Sequence, residues 1–369
     1  MFVQRVVMPD SQRESWTVLG GDGLVVDSVE RYLAYLSDIE RSPNTVKAYA
    51  HDLKDWFVFL GSRSLDWRQV RLEDVGGFVA WLRLPPVARS GRVAVLPTVG
   101  HHCGEATVNR KLSAVSAFYQ HAARNGVALG DLLTSWQPAG RRGTSWRPFL
   151  HHISKGQPRR GREVRLKASR KQPRILTPTE VQAILDACAR LRDRLLFAVL
   201  YDTGMRIGEA LGLRHEDWFA AQREVAVVPR VNDNGARSKA GETRTIPVSA
   251  ELVRLYADYV HGEYGDLDSD YVFVNLWGAP HGHPLSYPAV YDLVRRLRQR
   301  TGIEFDPHWH RHTYATRLLR AGTPVEVVSK LLGHASITTT LDFYGHLSIE
   351  DARRALRDAG WFADTAVRL

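Results

Sequence analysis

Apolar residues recur at three- and four-residue intervals through the N-terminal third of the chain, the period of one helix face. Val29, Tyr32, Leu33 and Leu36 make one stripe, and Tyr49, Leu53, Trp56 and Leu60 make a second. Ser42-Pro43 breaks the pattern between them, and Asn44 or Thr45 can cap the second helix. Further helices are predicted over 75–82 and 106–125, separated by a Pro- and Gly-rich loop at 85–104. The later helix carries Val108, Leu112, Val115 and Phe118, with Arg110 and Lys111 beside them. Residues 3–7 and 15–19, ahead of the first helix, can form a small hairpin.

The second half opens on a strong helix start. Thr177-Pro178-Thr179-Glu180 offers an N-cap, proline at the first helical position and a capping-box acid. Helices are predicted over 178–189 and, in a very apolar stretch, over 191–201. The β-prone runs Glu224–Val228 and Thr243–Val248 read as a hairpin with a long tip. Helical patterns then fit 250–263, 287–300, 311–321, 324–333, 337–345 and 349–359. The expected fold is mainly α with a small β-sheet, and no repeat of solenoid length is evident.

A length of 369 residues suits about two domains. The longest apolar or aromatic run is Leu195 to Tyr201, well short of the roughly 18 residues a spanning helix needs. Arg5, Asp10 and Arg13 interrupt the N-terminus where an export signal needs an apolar core. Cys103 and Cys188 are the only cysteines, which excludes a disulfide scaffold and a four-cysteine zinc site. The expected location is cytoplasmic.

Charge changes the picture. The chain carries 50 Lys plus Arg against 40 Asp plus Glu, a net +10. Between Arg141 and Arg174 lie twelve basic residues, among them Arg159, Arg160, Arg162, Arg165, Lys167, Arg170 and Lys171, and one acid, Glu163. The excess is therefore local, as in a device that binds a polyanion, with nucleic acid the usual target. A solvated basic linker is the plainer alternative. Four prolines and four glycines between Pro138 and Pro173, with no sustained period, mark the same stretch as a boundary. The expected division is an N-terminal extension at 1–25, a helical domain at 26–137, a basic linker at 138–175 and a second domain at 176–369. Arg110 and Lys111 suit a DNA clamp, although a plain bundle fits their helix equally well.

Five polar patches in the second domain bear on chemistry. In Thr203-Gly204-Met205-Arg206-Ile207-Gly208-Glu209, a cap at Thr203 puts Arg206 in a first helical turn, where an anion is already favoured. Glu209, three residues on, can orient the guanidinium, or the two form an ordinary surface pair. Lys239, at the hairpin turn, can swing onto a phosphate or merely solubilise the tip. His308, Arg311 and His312 fall on one face of a helix. An arginine among them and a single nearby carboxylate, Asp306, argue against a metal site. His334 follows Gly333 at a helix end, and Tyr344 sits in Leu341-Asp342-Phe343-Tyr344, where packing is the commoner use. Together these residues suit metal-free phosphoryl transfer: arginines clamp a phosphodiester, a tyrosine attacks it, and lysine or histidine moves the proton.

The order Arg206, Lys239, His308-x-x-Arg311, His334, Tyr344 resembles the catalytic signature of the tyrosine recombinase (phage integrase) family. So do the phrases TGMRIGEALGL, HRHTYATRLLRAG and LLGHASITTTLDFYGHL, while RSPNTVKAYAHDL and ATVNRKLSAVSAFYQHAARNG are similar to the family's core-binding bundle. The resemblance covers about residues 27–360 and lies nearest the transposon-encoded, transposase A type members. It implies a core-binding bundle at 26–137 followed by a catalytic domain, closing as a clamp on duplex DNA. Tyr344 would form a 3′-phosphotyrosyl link, Arg206 and Arg311 would bind the phosphate, and Lys239 would be the general acid. His308 and His334 would complete the pocket, with Glu209 and His312 supporting. Neither a metal nor another cofactor is implied. The implied partners are a specific core DNA site, copies of the chain forming a dimer on that site and a tetramer in synapsis, and companion recombinases of the same mobile element. Tyr344 stands ten residues after His334, where many relatives have nine and this chain has Phe343. A type IB topoisomerase or a silent DNA-binding regulator are the alternatives. The tail helix from Ser348, with Ala352, Leu356 and Ala359, is expected to dock on its own domain or on a neighbouring protomer.

Overall fold

The computed structural model describes residues 1–7, 14–89, 100–127, 134–137, 159–162, 164–167, 174–239, 241–334, 336–338 and 340, and only the backbone of 134–137 and 159–162. Tyr344, the tail from 348, Arg170 and Lys171 lie outside the described residues. The chain divides into two compact units, Met1–Arg170 and Lys171–Leu369.

The first unit begins with the antiparallel hairpin β1 (Phe2–Val7) and β2 (Glu14–Leu19). Val18 from β2 is fully buried against the helices, so the hairpin belongs to the same core. Four helices follow: α1 (Asp27–Asp38), α2 (Pro43–Ser62), α3 (Leu72–Arg83) and α4 (Glu105–Arg124). Ser42 is itself the cap of α2, its hydroxyl accepting from Thr45 N, and Pro43 is the first helical residue. The pair expected to end one helix therefore starts the next, because proline lacks an N–H that would have no partner there. The centre is aromatic: Trp56 Nε1 donates to Tyr119 Oη at 3.3 Å, and Tyr119 donates to Trp67 O at 2.8 Å.

Lys111 corrects an expectation. Its ammonium is buried, bonded to Asp52 at 3.1 Å and Asp55 at 2.7 Å, and it ties α4 to α2 instead of facing solvent. Arg110, its neighbour, is exposed and also pairs with Asp52. The basic stretch is not structureless either. Arg159–Arg162 forms β4, antiparallel to β3 (Thr134–Gln137). Pairing of this kind uses only backbone groups, so a run such as Arg-Arg-Gly-Arg shows no alternation to predict it. Beyond it, Val164 and Leu166 pack on the bundle while Arg165 and Lys167 face solvent. The Asn109 amide brackets Leu166, accepting from its N–H and donating to its carbonyl, both at 2.9 Å.

The second unit packs around α6 (Leu191–Thr203), whose apolar middle, Leu195 to Tyr201, is flanked by charged turns and which is contacted by α5 (Pro178–Asp186), α8 (Ala250–Tyr259) and α10 (Pro307–Arg320). Between α6 and α8 lie the short helix α7 (Ile207–Leu211) and a three-stranded antiparallel sheet of β5 (Trp218–Phe219), β6 (Glu224–Val227) and β7 (Arg244–Pro247). Helices α9 (Tyr287–Thr301) and α11 (Val325–Leu332) belong to the same unit. No helix among the described residues is long and apolar enough to cross a membrane.

His310 is fully buried between Phe197 and Phe305, and neither ring nitrogen has a hydrogen-bond partner among the described residues. Burial pushes its pKa from 6.5 down to about 4. Between those values the unfolded chain binds a proton that the folded chain refuses, so stability falls as pH drops through this window. The full effect is roughly 3 kcal/mol. Melting temperature is expected to fall steeply from pH 7 to pH 4, and His310→Phe to flatten part of that decline. An unchanged slope in the variant would place the acid sensitivity elsewhere.

Candidate active site

Arg206 is reached through a close helix crossing. Gly204 ends α6 in the left-handed conformation, φ +63°, and a Cβ there would collide with the Tyr314 ring on α10. Thr203, expected to cap the next helix, instead closes α6, its hydroxyl donating to Val199 O at 2.6 Å. The N-cap of α7 is Arg206. Glu209, from the third position of that helix, accepts from Arg206 N and from its Nη1, both at 2.9 Å. The carboxylate is fully buried, which alone would raise its pKa. The Arg244 guanidinium and the Arg206 N–H outweigh burial and hold it below the ordinary carboxylate range. The pair is thus no solvated surface bridge.

Arg311, in the first turns of α10, is among the largest fully buried side chains. Its Nη1 donates to Gly204 O at 2.9 Å and its Nη2 to Leu332 O at 2.7 Å. These carbonyls belong to the C-terminal ends of α6 and α11, where helices leave acceptors unsatisfied. One guanidinium thereby ties together the segments that carry Arg206 and His334. His334 follows Gly333, whose φ of +62° ends α11. His334 Nδ1 lies 2.8 Å from Thr340 Oγ1. Desolvation first, and then the charges of Arg311, Arg206 and Arg244, push its pKa down to about 4.

His308 and His312 stack edge to face at 4.6 Å on α10, as their four-residue spacing predicts. Desolvation, then His308 and Arg311, bring His312 down to about 4. His308 is lowered by desolvation and by Arg311, Arg206 and Lys239, against a pull from Asp306. Lys239 is exposed. The connection that carries it is less free than a hairpin tip suggests. Asn234 donates to Leu211 O at 3.0 Å and to Leu285 O at 2.9 Å, and Arg230 grips Asp217 at 2.8 Å. Next to Lys239, Ser238 Oγ reaches Glu209 at 3.4 Å. Arg206, Glu209, Lys239, His308, Arg311, His312 and His334, spread over 129 positions of sequence, therefore share one electrostatic environment. Sequence reasoning missed Arg244 here. Its only local signal is a buried alternation along β7.

Residues 174–350 match the phage integrase family and residues 29–126 the phage integrase N-terminal SAM-like domain. The chain is 38% identical over 355 residues to Transposase A from transposon Tn554 of Staphylococcus aureus, covering 96% of each. It is 29% identical over 329 residues to tyrosine recombinase XerD of Mycobacterium tuberculosis, covering 85% of this chain and 90% of that one. In fold it is similar to the Tn1549 transposon integrase solved with a circular intermediate DNA. That likeness has a TM-score of 0.60 at 18% identity and covers 90% of this chain and 99% of the other. The chain belongs to the tyrosine recombinase (phage integrase) family, whose activity is site-specific DNA recombination by cutting and rejoining.

Proposed function

We propose that the chain is a transposase-type site-specific recombinase that cuts DNA through a 3′-phosphotyrosyl bond at Tyr344, without metal or nucleotide cofactor. The observation that carries this reading is that Arg206 and Arg311, each fixed by a separate set of buried acceptors, both act on the His334 imidazole. Similarity to Transposase A along 96% of both chains supports the transposon assignment.

In this reading Arg206 and Arg311 hold the non-bridging oxygens and stabilise the pentacoordinate transition state. A guanidinium offers five N–H donors, and two of those on Arg311 fix the orientation of its fork against the backbone. The Tyr344 oxygen bonds to phosphorus as the bond to the 5′-oxygen breaks, and Lys239 gives that oxygen its proton. The depressed histidines stay neutral at physiological pH, and in the tautomer that carries its proton on Nδ1, toward Thr340, His334 offers its other nitrogen to the tyrosine proton. The phosphotyrosine conserves the bond energy, and a 5′-hydroxyl of the partner strand reverses the step. Partners are duplex DNA with a specific core site, further copies of the chain and companion recombinases.

The test uses nicked duplexes tiled across the DNA flanking the gene, incubated with the full chain in excess EDTA. A protein–DNA adduct that survives denaturant is expected. Adduct formation only after divalent metal is restored overturns the mechanism. Relaxation of any plasmid without paired sites moves the assignment to a topoisomerase.

The basic segment gives a separate prediction. Neutralising Arg159, Arg160, Arg162 and Arg165 together is expected to weaken binding to all duplexes alike and to flatten the salt dependence by about 0.9 per lost phosphate contact. A salt slope equal to the parent's would remove this segment from the DNA backbone.

A further inference from the structure

We infer that Arg244 on β7 is a positioning residue that locks the Arg206 and His334 segments into one register. It touches no reacting atom in the reading above, and the inference rests on that reading for its kinetic consequence. The Arg244 guanidinium is buried and branches two ways. Its Nη2 and Nη1 reach the two Glu209 oxygens at 2.6 and 3.4 Å, and its Nε donates to Leu331 O at 2.8 Å. Glu209 is the carboxylate that orients Arg206, and Leu331 immediately precedes Leu332, whose carbonyl holds Arg311. Gly333 leaves room for the group: a Cβ there would stand 2.8 Å from Arg244 Nη1.

Stability alone does not account for such a residue, because a buried ion pair is often matched by apolar side chains of similar volume. An apolar residue cannot, however, hold a carboxylate and a helix-end carbonyl in fixed relation. Lysine cannot either, since its single ammonium lacks the planar fork that serves two directions at once. Without Arg244, Glu209 retains Arg206 and Ser238, and the end of α11 loses its tie to β7.

Arg244→Gln and Arg244→Lys are compared with the parent in single-turnover cleavage of the flanking-DNA duplexes, in DNA affinity, in melting temperature and in NMR titration of His334. Both variants are expected to cleave about 100-fold more slowly, the scale of an ångström-sized misplacement, with affinity within about threefold. Arg244→Gln is further expected to raise the His334 pKa, since the Arg244 charge that helps to lower it is gone and the Glu209 carboxylate, which raises it, is less neutralised. Arg244→Lys, which keeps the charge, leaves that titration nearly in place while cleavage is still slow. A folded Arg244→Lys protein cleaving at the parental rate overturns the inference, and so does slowing fully explained by a lost folded fraction. If the parent forms no adduct with any duplex, the proposed function falls, and an unmoved His334 titration in Arg244→Gln then overturns the linkage separately.

Discussion

A Tyr344→Phe chain is expected to bind its DNA with parental affinity and to form no covalent complex with it. Phenylalanine keeps the ring and removes only the oxygen that would bond to phosphorus. Deleting the nucleophile of a covalent mechanism costs on the order of 10⁴-fold or more, so adducts should vanish from a denaturing gel. The neighbouring Phe343 makes the experiment sharper. It occupies the spacing of nine residues after His334 that many relatives use, whereas Tyr344 stands at ten. Restoring a hydroxyl with Phe343→Tyr in the Tyr344→Phe background is expected to give no adduct, because adjacent residues of any regular element point in different directions. Adduct formation by Tyr344→Phe alone would assign the attack to another residue. Recovery by Phe343→Tyr would show that the segment can shift by one position.

What was legible in the chain beforehand follows from how far each interaction reaches. The helices α1, α2 and α4 announce themselves because Val29 to Leu36, Tyr49 to Leu60 and Val108 to Phe118 repeat with the helical period. Arg206 with Glu209, and His308 with Arg311 and His312, are legible for the same reason, since three or four residues span one turn. Interactions between distant segments leave no such trace. Lys111 beside Arg110 looks like half of a basic surface, and only the fold shows Asp52 and Asp55 drawing its ammonium inward. Arg244 lies 35 residues from Glu209 and 87 from Leu331, in a strand where a buried arginine has no local cause. The pinning of the β6–β7 connection by Asn234 is hidden likewise, because its acceptors are the carbonyls of Leu211 and Leu285. β4 and the Asn109 clamp on Leu166 depend on backbone groups that carry no residue signature.

Replacing Arg311 is expected to damage both chemistry and folding, in proportions that two substitutions can separate. Arg311→Gln leaves the carbonyls of Gly204 and Leu332 buried without their present donors, at about 1–3 kcal/mol each. In the proposed mechanism it also removes a transition-state charge clamp, a loss on the order of 10²–10³ in rate for one such group. Arg311→Lys keeps the charge and can satisfy one of the two carbonyls, but cannot span both while facing a phosphate. Its melting temperature should therefore lie between those of the parent and Arg311→Gln, while cleavage stays depressed about 10²-fold or more. The pH profile gives an independent reading. Arg311 is the largest electrostatic contributor to the lowered His334 pKa after desolvation. Arg311→Gln should thus move the acid limb of cleavage to higher pH: the neutral imidazole, fully present well above its pKa, is lost earlier as pH falls. Cleavage by Arg311→Gln within tenfold of the parent, after correction for folded fraction, would remove this residue from the phosphate-binding set. Arg206 and its buried carboxylate would then be left as the clamp.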